Sequence, residues 1–497
     1  MPRIITRSAV ALVCVLALAG VGWIGKLWYD SRLPGTYNVM DFGTMDYGGG
    51  SIPAGVDGSS GHQGHGVGTS VADLRGPQSE HPDAEFTLRA REARIRLASG
   101  RSVDALTFNG RSPGPELRVR RGDLVQVTLA NEDIESGVTI HWHGVDVPNA
   151  EDGVAGVTQD AVLPGKSYVY RFRASQQGTF WYHTHQISAR EVRRGLFGAF
   201  VIEPPVGILG GELDLAIVAH TFDGVPTING SDLLERRAVA QATPVRLRLV
   251  NTDNAPRRFA LTGTPFRVAA LDGTELARTL PLRNVSVDVP AGGRADLVFE
   301  MPATPVRLSA DNWAAGLALS ADGKATPPAS MPAESLDPLK YGLPAPLPFA
   351  ASSQFDRRFE LRIDKKPGFL DGRPGMQWTL NGKIYPHVPV FHVERGDLVR
   401  VTIANDGNGT HPMHLHGHHM LVLSRNGVDA VGPWWVDTLD VDEGEEYVVG
   451  FRAENPGVWM YHCHNLRHAA QGLTMHVAYA GVTTPFNIGD AHHNLPE

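Results

Sequence analysis

The chain has 497 residues, a formal net charge of −8 and a pI near 6.2. That length exceeds what one hydrophobic core organises, so two to four domains are expected, and the absence of a basic patch argues against a nucleic-acid partner. Cys14 and Cys463 are the only cysteines, which excludes a disulfide framework, while 55 glycines, 35 prolines and no long heptad pattern point to an all-β chain rich in turns.

Arg3 and Arg7 precede an apolar run over residues 9–24, the pattern of an export segment. Ala17-Leu18-Ala19 offers a signal-peptidase site, which would release a secreted or periplasmic protein. The apolar run continues past that site to Trp23 and Ile24, and Lys26-Leu27-Trp28-Tyr29 has the composition of an interfacial anchor. An uncleaved anchor over residues 1–29, with the body outside the membrane, is therefore the preferred expectation. Residues 30–84 are poor in hydrophobic side chains and rich in Gly, Ser and Asp, and they read as a flexible tether. Met40, Met45, His62 and His65 within it are soft donors that a copper-gathering arm would use, although a linker with incidental Met and His explains them as well.

From residue 86 short alternating strands are punctuated by Gly and Pro, and an internal repeat sets the architecture. Residues 117–128 recur as residues 391–402, and residues 168–186 recur as residues 447–465. A Thr-X-Asn-Gly segment begins at Thr107, Thr227 and Thr379. The middle copy, marked by residues 245–251, lacks paired histidines. The chain thus reads as three copies of one β-sandwich: domain 1 over 85–205, domain 2 with a Pro/Ala/Ser-rich linker over 206–350, and domain 3 over 351–497. The middle copy is expected to be a spacer between the outer two.

Four histidine pairs share one spacing: His141/His143, His183/His185, His414/His416 and His462/His464. On a strand, residues i and i+2 point to one side, so each pair offers two imidazoles to one place. Eight imidazoles from four strands suit a cluster of about three metal ions, placed between domains 1 and 3. Cys463 points away from its two flanking histidines and is available to a separate ion. His411 and His468 complete a Cys-plus-two-His set, the donor pattern of a blue-copper electron-transfer site. Zinc is the alternative metal, but four-ligand zinc sites do not account for donors divided eight and three.

With these motifs the chain resembles the three-domain multicopper oxidases, a group that includes laccases, ascorbate oxidases and bacterial copper oxidases. The resemblance spans roughly residues 86–482. It is carried by His411-Pro412-Met413-His414-Leu415-His416-Gly417-His418 and by residues 462–472 together with the two pairs of domain 1. It implies three cupredoxin-like Greek-key β-sandwiches and four copper ions. By the resemblance His411, Cys463 and His468 hold type 1 copper, and His141 and His414 hold type 2 copper. His143, His183, His185, His416, His462 and His464 hold the type 3 pair. Asp152 falls where the family has an acidic residue that hydrogen-bonds cluster water and helps deliver protons, which the resemblance implies for it; a turn-forming Asp before Gly153 is the alternative.

Two positions depart from bacterial relatives. Leu473 occupies the axial position of the type 1 site, where many have Met, and a non-coordinating Leu should raise the potential; Met475 is a more distant candidate contact. Ala469 stands where some have Glu. The expected activity is laccase-like oxidation of phenols and aromatic amines, with dioxygen reduced to water. Extracytoplasmic Cu(I) oxidation is the first alternative, for which Met413 and Met420 are soft donors near the type 1 set. A copper-storage or scaffold protein is an alternative of another class, and a copper nitrite reductase is disfavoured because its cysteine would sit in the first of two domains. Trp434 and Trp435 are candidates for an aromatic substrate pocket, or for buried core.

Overall fold

The computed structural model describes residues 2–51, 68–206, 212–489 and 491–497. Strands dominate, arranged as three pairs of facing sheets, and the chain is an all-β protein of three cupredoxin-like sandwiches preceded by an N-terminal helix, Pro2–Asp30. The repeat read from the sequence corresponds to one wiring pattern used three times. In each copy a strand pairs parallel with a second, which pairs antiparallel with a third: Ala84–Arg96, Leu124–Asn131 and Ser167–Arg173 in the first copy. Leu213–Phe222, Pro244–Asn251 and Arg294–Glu300 do so in the second. Arg357–Leu370, Leu398–Asn405 and Glu446–Arg452 do so in the third.

The Thr-X-Asn-Gly segments make a tight turn at the end of the second strand of the first hairpin in each copy, closed by the bridges Phe108↔Arg111, Ile228↔Ser231 and Leu380↔Lys383. Asn109, Asn229 and Asn381 adopt φ of 56°, 51° and 52°, and the glycines after them have φ of 73°, 78° and 71°. Two successive left-handed residues make the tight turn that matches strand twist, and Asn-Gly is the pair that tolerates it. Each Asn side chain then accepts a backbone N–H from the neighbouring strand, at Arg89, Val218 and Arg362. The cores follow strand alternation: in Leu124–Asn131, Val125, Val127 and Leu129 are buried while Gln126 and Thr128 are half-buried.

Several expectations need correction. Much of the expected tether is fixed to the body. Thr44–Asp46 pairs parallel with residues 389–391 as an edge strand of the third sandwich, and Thr69–Ser70 pairs with Val482–Thr483. Asn38 donates to the Thr484 and Phe486 carbonyls, and Tyr37 meets Tyr385 through their hydroxyls at 2.9 Å. Low hydrophobic content misleads here, because backbone pairing to an open sheet edge needs few apolar side chains. Met40 packs against the third core and Met45 lies in the edge strand, so neither belongs to a free arm; His62 and His65 lie outside the described residues. The linker 321–350 is irregular but tucks Leu339 into the core.

Candidate metal centre

The histidine pairs are brought together by sheet register. His141 pairs across the sheet with His183 in the first sandwich, and His414 with His462 in the third. Only His141–His143 lies wholly within a strand; each other pair straddles a strand end, with its partner just beyond. Even so, the rings of each pair stay on one side, with centroids 4.8–5.8 Å apart. The two domains meet ring to ring. His141 stacks on His416 and His143 on His414, both at 3.8 Å, and His185 approaches His462 at 5.2 Å. All eight side chains are buried.

Hydrogen bonding sets which ring nitrogen is free. The Nδ1–H groups of His183, His185 and His414 face the carbonyls of Thr184, Pro496 and Asp437 at 2.9–3.1 Å. Asp152 bridges His141 Nδ1 at 3.1 Å and His416 Nδ1 at 3.0 Å. His143 is reversed: Asp437 and Thr438 occupy its Nε2 side, leaving Nδ1 without a partner. With Nδ1 protonated, Nε2 carries a lone pair. His141 Nε2 then faces His414 Nε2 at 3.4 Å, and His416 Nε2 faces His462 Nε2 at 3.1 Å. In the first of these contacts the opposed lone pairs repel in a dry interior unless a cation lies between them; His462 Nδ1 has no hydrogen-bond partner to fix the tautomer in the second. His183 Nε2, His185 Nε2 and both nitrogens of His464 are buried without a hydrogen-bond partner. Burial first, then neighbouring imidazoles, holds His183, His185, His416 and His464 well below the usual imidazole range, so they are neutral donors. These side chains form overlapping three-donor groups that could hold metal ions: His141/His414/His416, His185/His416/His462, His141/His143/His183 and, with Asp437, His143/His414/Asp437.

On the other face of Val458–Cys463, the Cys463 sulfur lies 3.7 Å from His411 Nδ1 and 3.8 Å from His468 Nδ1, a separate three-donor group. Burial raises the thiol pKa, so ionisation here calls for a bound cation. Burial also lowers His411 and His468 to about 4. Cys463 N–H donates to the Leu473 carbonyl at 3.0 Å, which sets residue 473 opposite the cysteine, whereas Met475 pairs with Tyr461 one step away. Met413, buried, is the cross-strand partner of Cys463, and Met420 Sδ accepts from Tyr461 Oη at 3.8 Å.

Residues that sequence reading missed surround both groups. Trp378, on the hairpin Arg357–Leu370/Arg373–Leu380, covers both imidazoles of the sulfur site, with centroids 4.6 Å from His411 and 4.7 Å from His468. Lys365 Nζ sits 3.6 Å over the outer face of that indole. Trp434 instead lines a cavity of about 390 Å3 between the second and third sandwiches, and Trp435 packs edge-on to Phe349. Asp437 contacts His143 and pairs through both carboxylate oxygens with buried Arg294 of the second sandwich, at 2.7 and 2.5 Å. Burial alone would raise the Asp437 pKa, but Arg294 outweighs it and holds the carboxyl well below its usual range. The middle sandwich is therefore more than a spacer. The Asp152 carboxylate bridges two imidazoles, and Gly153 (φ 74°) lets the turn that carries it press against the Ile140 carbonyl. Glu497 Oε1 lies 3.1 Å from His462 Nδ1 without hydrogen-bond alignment, and Glu497 Oε2 accepts from Ser188.

Two multicopper oxidase family models match, one over residues 89–207 and the other over residues 360–481, the first and third sandwiches that bear the histidines. The chain belongs to the multicopper oxidase family. A laccase of Botryotinia fuckeliana is 28% identical over 450 residues, covering 76% of this chain and 79% of the relative. The iron transport multicopper oxidase of Saccharomyces cerevisiae is 25% identical over 475 residues, covering 79% and 74%. The crystal structure of a multi-copper oxidase from Pseudomonas thermotolerans superposes with a TM-score of 0.64 at 28% identity, covering 80% of this chain and 100% of that one. This multicopper oxidase is accordingly a copper-dependent oxidoreductase with dioxygen as acceptor.

Proposed function

We propose that the enzyme is laccase-like, coupling four one-electron oxidations of a phenol or aromatic amine to the reduction of one dioxygen to two waters. The balance is four phenols and one dioxygen giving four phenoxyl radicals and two waters. One observation carries this reading: Cys463 belongs to one donor group, while of its immediate neighbours His462 joins His185 and His416 in the other and His464 packs its ring against His143 and His183 there. In this reading His411, Cys463 and His468 hold type 1 copper, and His141 and His414 hold type 2. His143, His183, His185, His416, His462 and His464 hold the type 3 pair. Copper bound at these positions would supply one-electron acceptance at the first site and dioxygen reduction at the second.

The chain's own side chains do the rest. Trp378 covers the His411 and His468 rings against water, and the half-buried His468 is left for a reductant to approach. Lys365 and Arg467 are the charged groups that act on His468, and both are cations. That charge supports a neutral or anionic aromatic reductant over Cu(I) or another metal cation. Asp152 orients two imidazoles, and burial raises its pKa, so it holds a proton more readily than a surface carboxylate. The N-terminal helix is read as an anchor that leaves the body outside the membrane.

Oxygen uptake with a simple phenol, compared with Cu(I) under the same conditions, tests the substrate class. Faster uptake with Cu(I) would turn the reading to metal oxidation, and none with either would favour a storage role. Cys463→Ser should retain the fold by circular dichroism while losing the blue absorption and phenol turnover. A blue, active variant would refute the assignment.

A further inference from the structure

The hairpin that carries Trp378 is bound at its far end to the N-terminal helix. Its turn is Asp371-Gly372. Gly372 N–H donates to Ser31 Oγ at 3.1 Å, Leu33 N–H donates to Asp371 Oδ1 at 3.3 Å, and Arg32 Nε lies 3.6 Å from the same carboxylate oxygen. Gly372 sits so close beneath the helix end that a Cβ there would lie 2.8 Å from Arg32 Cδ and 3.1 Å from Trp28 Nε1. Arg32 itself stacks on Trp28. Residues 11–30 of that helix are long and apolar enough to cross a bilayer, none of that stretch is buried in the protein, and Trp23, Ile24 and Tyr29 are exposed. The end that touches the hairpin is thus the end that would emerge from the membrane.

The surface continuous with that contact is basic and partly apolar. Lys366 and Arg373 are exposed and have no acidic partner among the described residues, whereas Asp30 is paired with Lys26 and Asp371 with Arg32. Beside them Pro367 and Pro374 are exposed, Phe369 is half-buried and Met376 is 59% exposed. Unpaired cations among apolar side chains, adjoining a membrane helix, match the chemistry of an anionic lipid surface. Along the hairpin, the register runs from Leu370↔Arg373 at the turn to Lys365↔Trp378. Those five steps span about 17 Å at ~3.4 Å per residue.

We propose that the turn end of this hairpin rests on the bilayer surface, continuous with the N-terminal helix, and that it turns the His411/Cys463/His468 face toward the membrane. The contact with lipid rests on the helix being a retained span. Its consequence rests on the proposed function: the electron-entry edge stands within a few strand residues of the interface, so reductants that concentrate at a lipid surface reach it first.

The full chain, with Cys14 replaced by Ala and one fluorophore-labelled cysteine at M376C or at L233C in the second sandwich, would be placed in phosphatidylcholine nanodiscs carrying a nitroxide lipid, with and without phosphatidylglycerol. The expected result is quenching at position 376 and none at 233, with quenching at 376 stronger when phosphatidylglycerol is present. The double variant K366E/R373E should lose that anionic increment while remaining bound to the disc. Equal quenching at 376 and 233, or an increment indifferent to charge reversal, overturns the proposal. Failure to associate with the disc removes its premise. That outcome leaves the copper reading standing, because copper content and the blue absorption test it separately.

Discussion

At the residue scale, the behaviour of each site turns on single side chains placed by strand alternation. His462 and Cys463 are adjacent in sequence and leave opposite faces of one strand, and this alone separates the two donor groups. Leu473 is set opposite Cys463 by a backbone hydrogen bond, and it offers no donor atom. Leu473→Met should therefore lower the reduction potential of the blue centre, because a thioether stabilises the oxidised ion. A redox titration of the visible band that shows no change would sink the assignment of residue 473 as the axial position. Asp152 holds two imidazoles through their Nδ1 atoms. Asp152→Asn keeps the shape but replaces one charge-assisted acceptor with an amide. Loss of such an outer partner costs about 10–100-fold in metal affinity or activity. Copper retention on dialysis and oxygen uptake should fall together in that variant. The paired histidines were legible because a two-residue spacing maps directly onto one strand face. Asp437 was not, because its partners His143 and Arg294 come from two other sandwiches, and no local pattern marks it.

At the element scale, the hairpin Arg357–Leu370/Arg373–Leu380 links three features: the third core, the covered imidazoles and the N-terminal helix. Its base belongs to the repeated sandwich and was visible as such in the Thr-X-Asn-Gly segment. Its extension was not, because residues 366–376 carry Gly and Pro in a pattern that reads as loop, while cross-strand pairing holds them as strand. Trp378 is 3% exposed and wedged against two rings. Truncating it to Ala removes that packing and admits water, and such a change in a packed site costs about 3–5 kcal/mol. Trp378→Ala should show that loss in urea unfolding, and the potential of the blue centre should fall as its surroundings become wetter. Trp378→Phe, which keeps an aromatic face, should recover most of the stability. Equal stability of the Ala and Phe variants would mean that the indole does not seal the site.

At the scale of the whole molecule, the three sandwiches are held around the histidine cluster by charges that meet at their junction. Arg294 of the second sandwich reaches the Thr179 carbonyl of the first and Asp437 of the third. His419, in the third, faces Asp146 of the first at 3.3 Å and Asp437 at 3.4 Å. Burial would pull the His419 pKa down, but the Asp146 and Asp437 carboxylates outweigh it and raise it to about 9, from an ordinary 6.5. The protonated ring is therefore bound more tightly in the folded state. Its contribution is complete below pH 6.5 and is lost as pH rises through about 9. Because Asp146 is partly exposed and screened, the amount at stake is about 1–2 kcal/mol. Glu151 and Glu191, which burial pushes to about 7, act in a lower window: their protonated forms favour folding, and that share is lost between about 4.5 and 7. The thermal midpoint should accordingly decline in two stages with rising pH. His419→Gln should flatten only the upper stage, between pH 7 and 9, and should leave the lower one in place. A midpoint in that variant that still falls from pH 7 to 9 as in the parent would assign the upper stage to another group. It would also remove His419 as the pH-dependent tie between the first and third sandwiches.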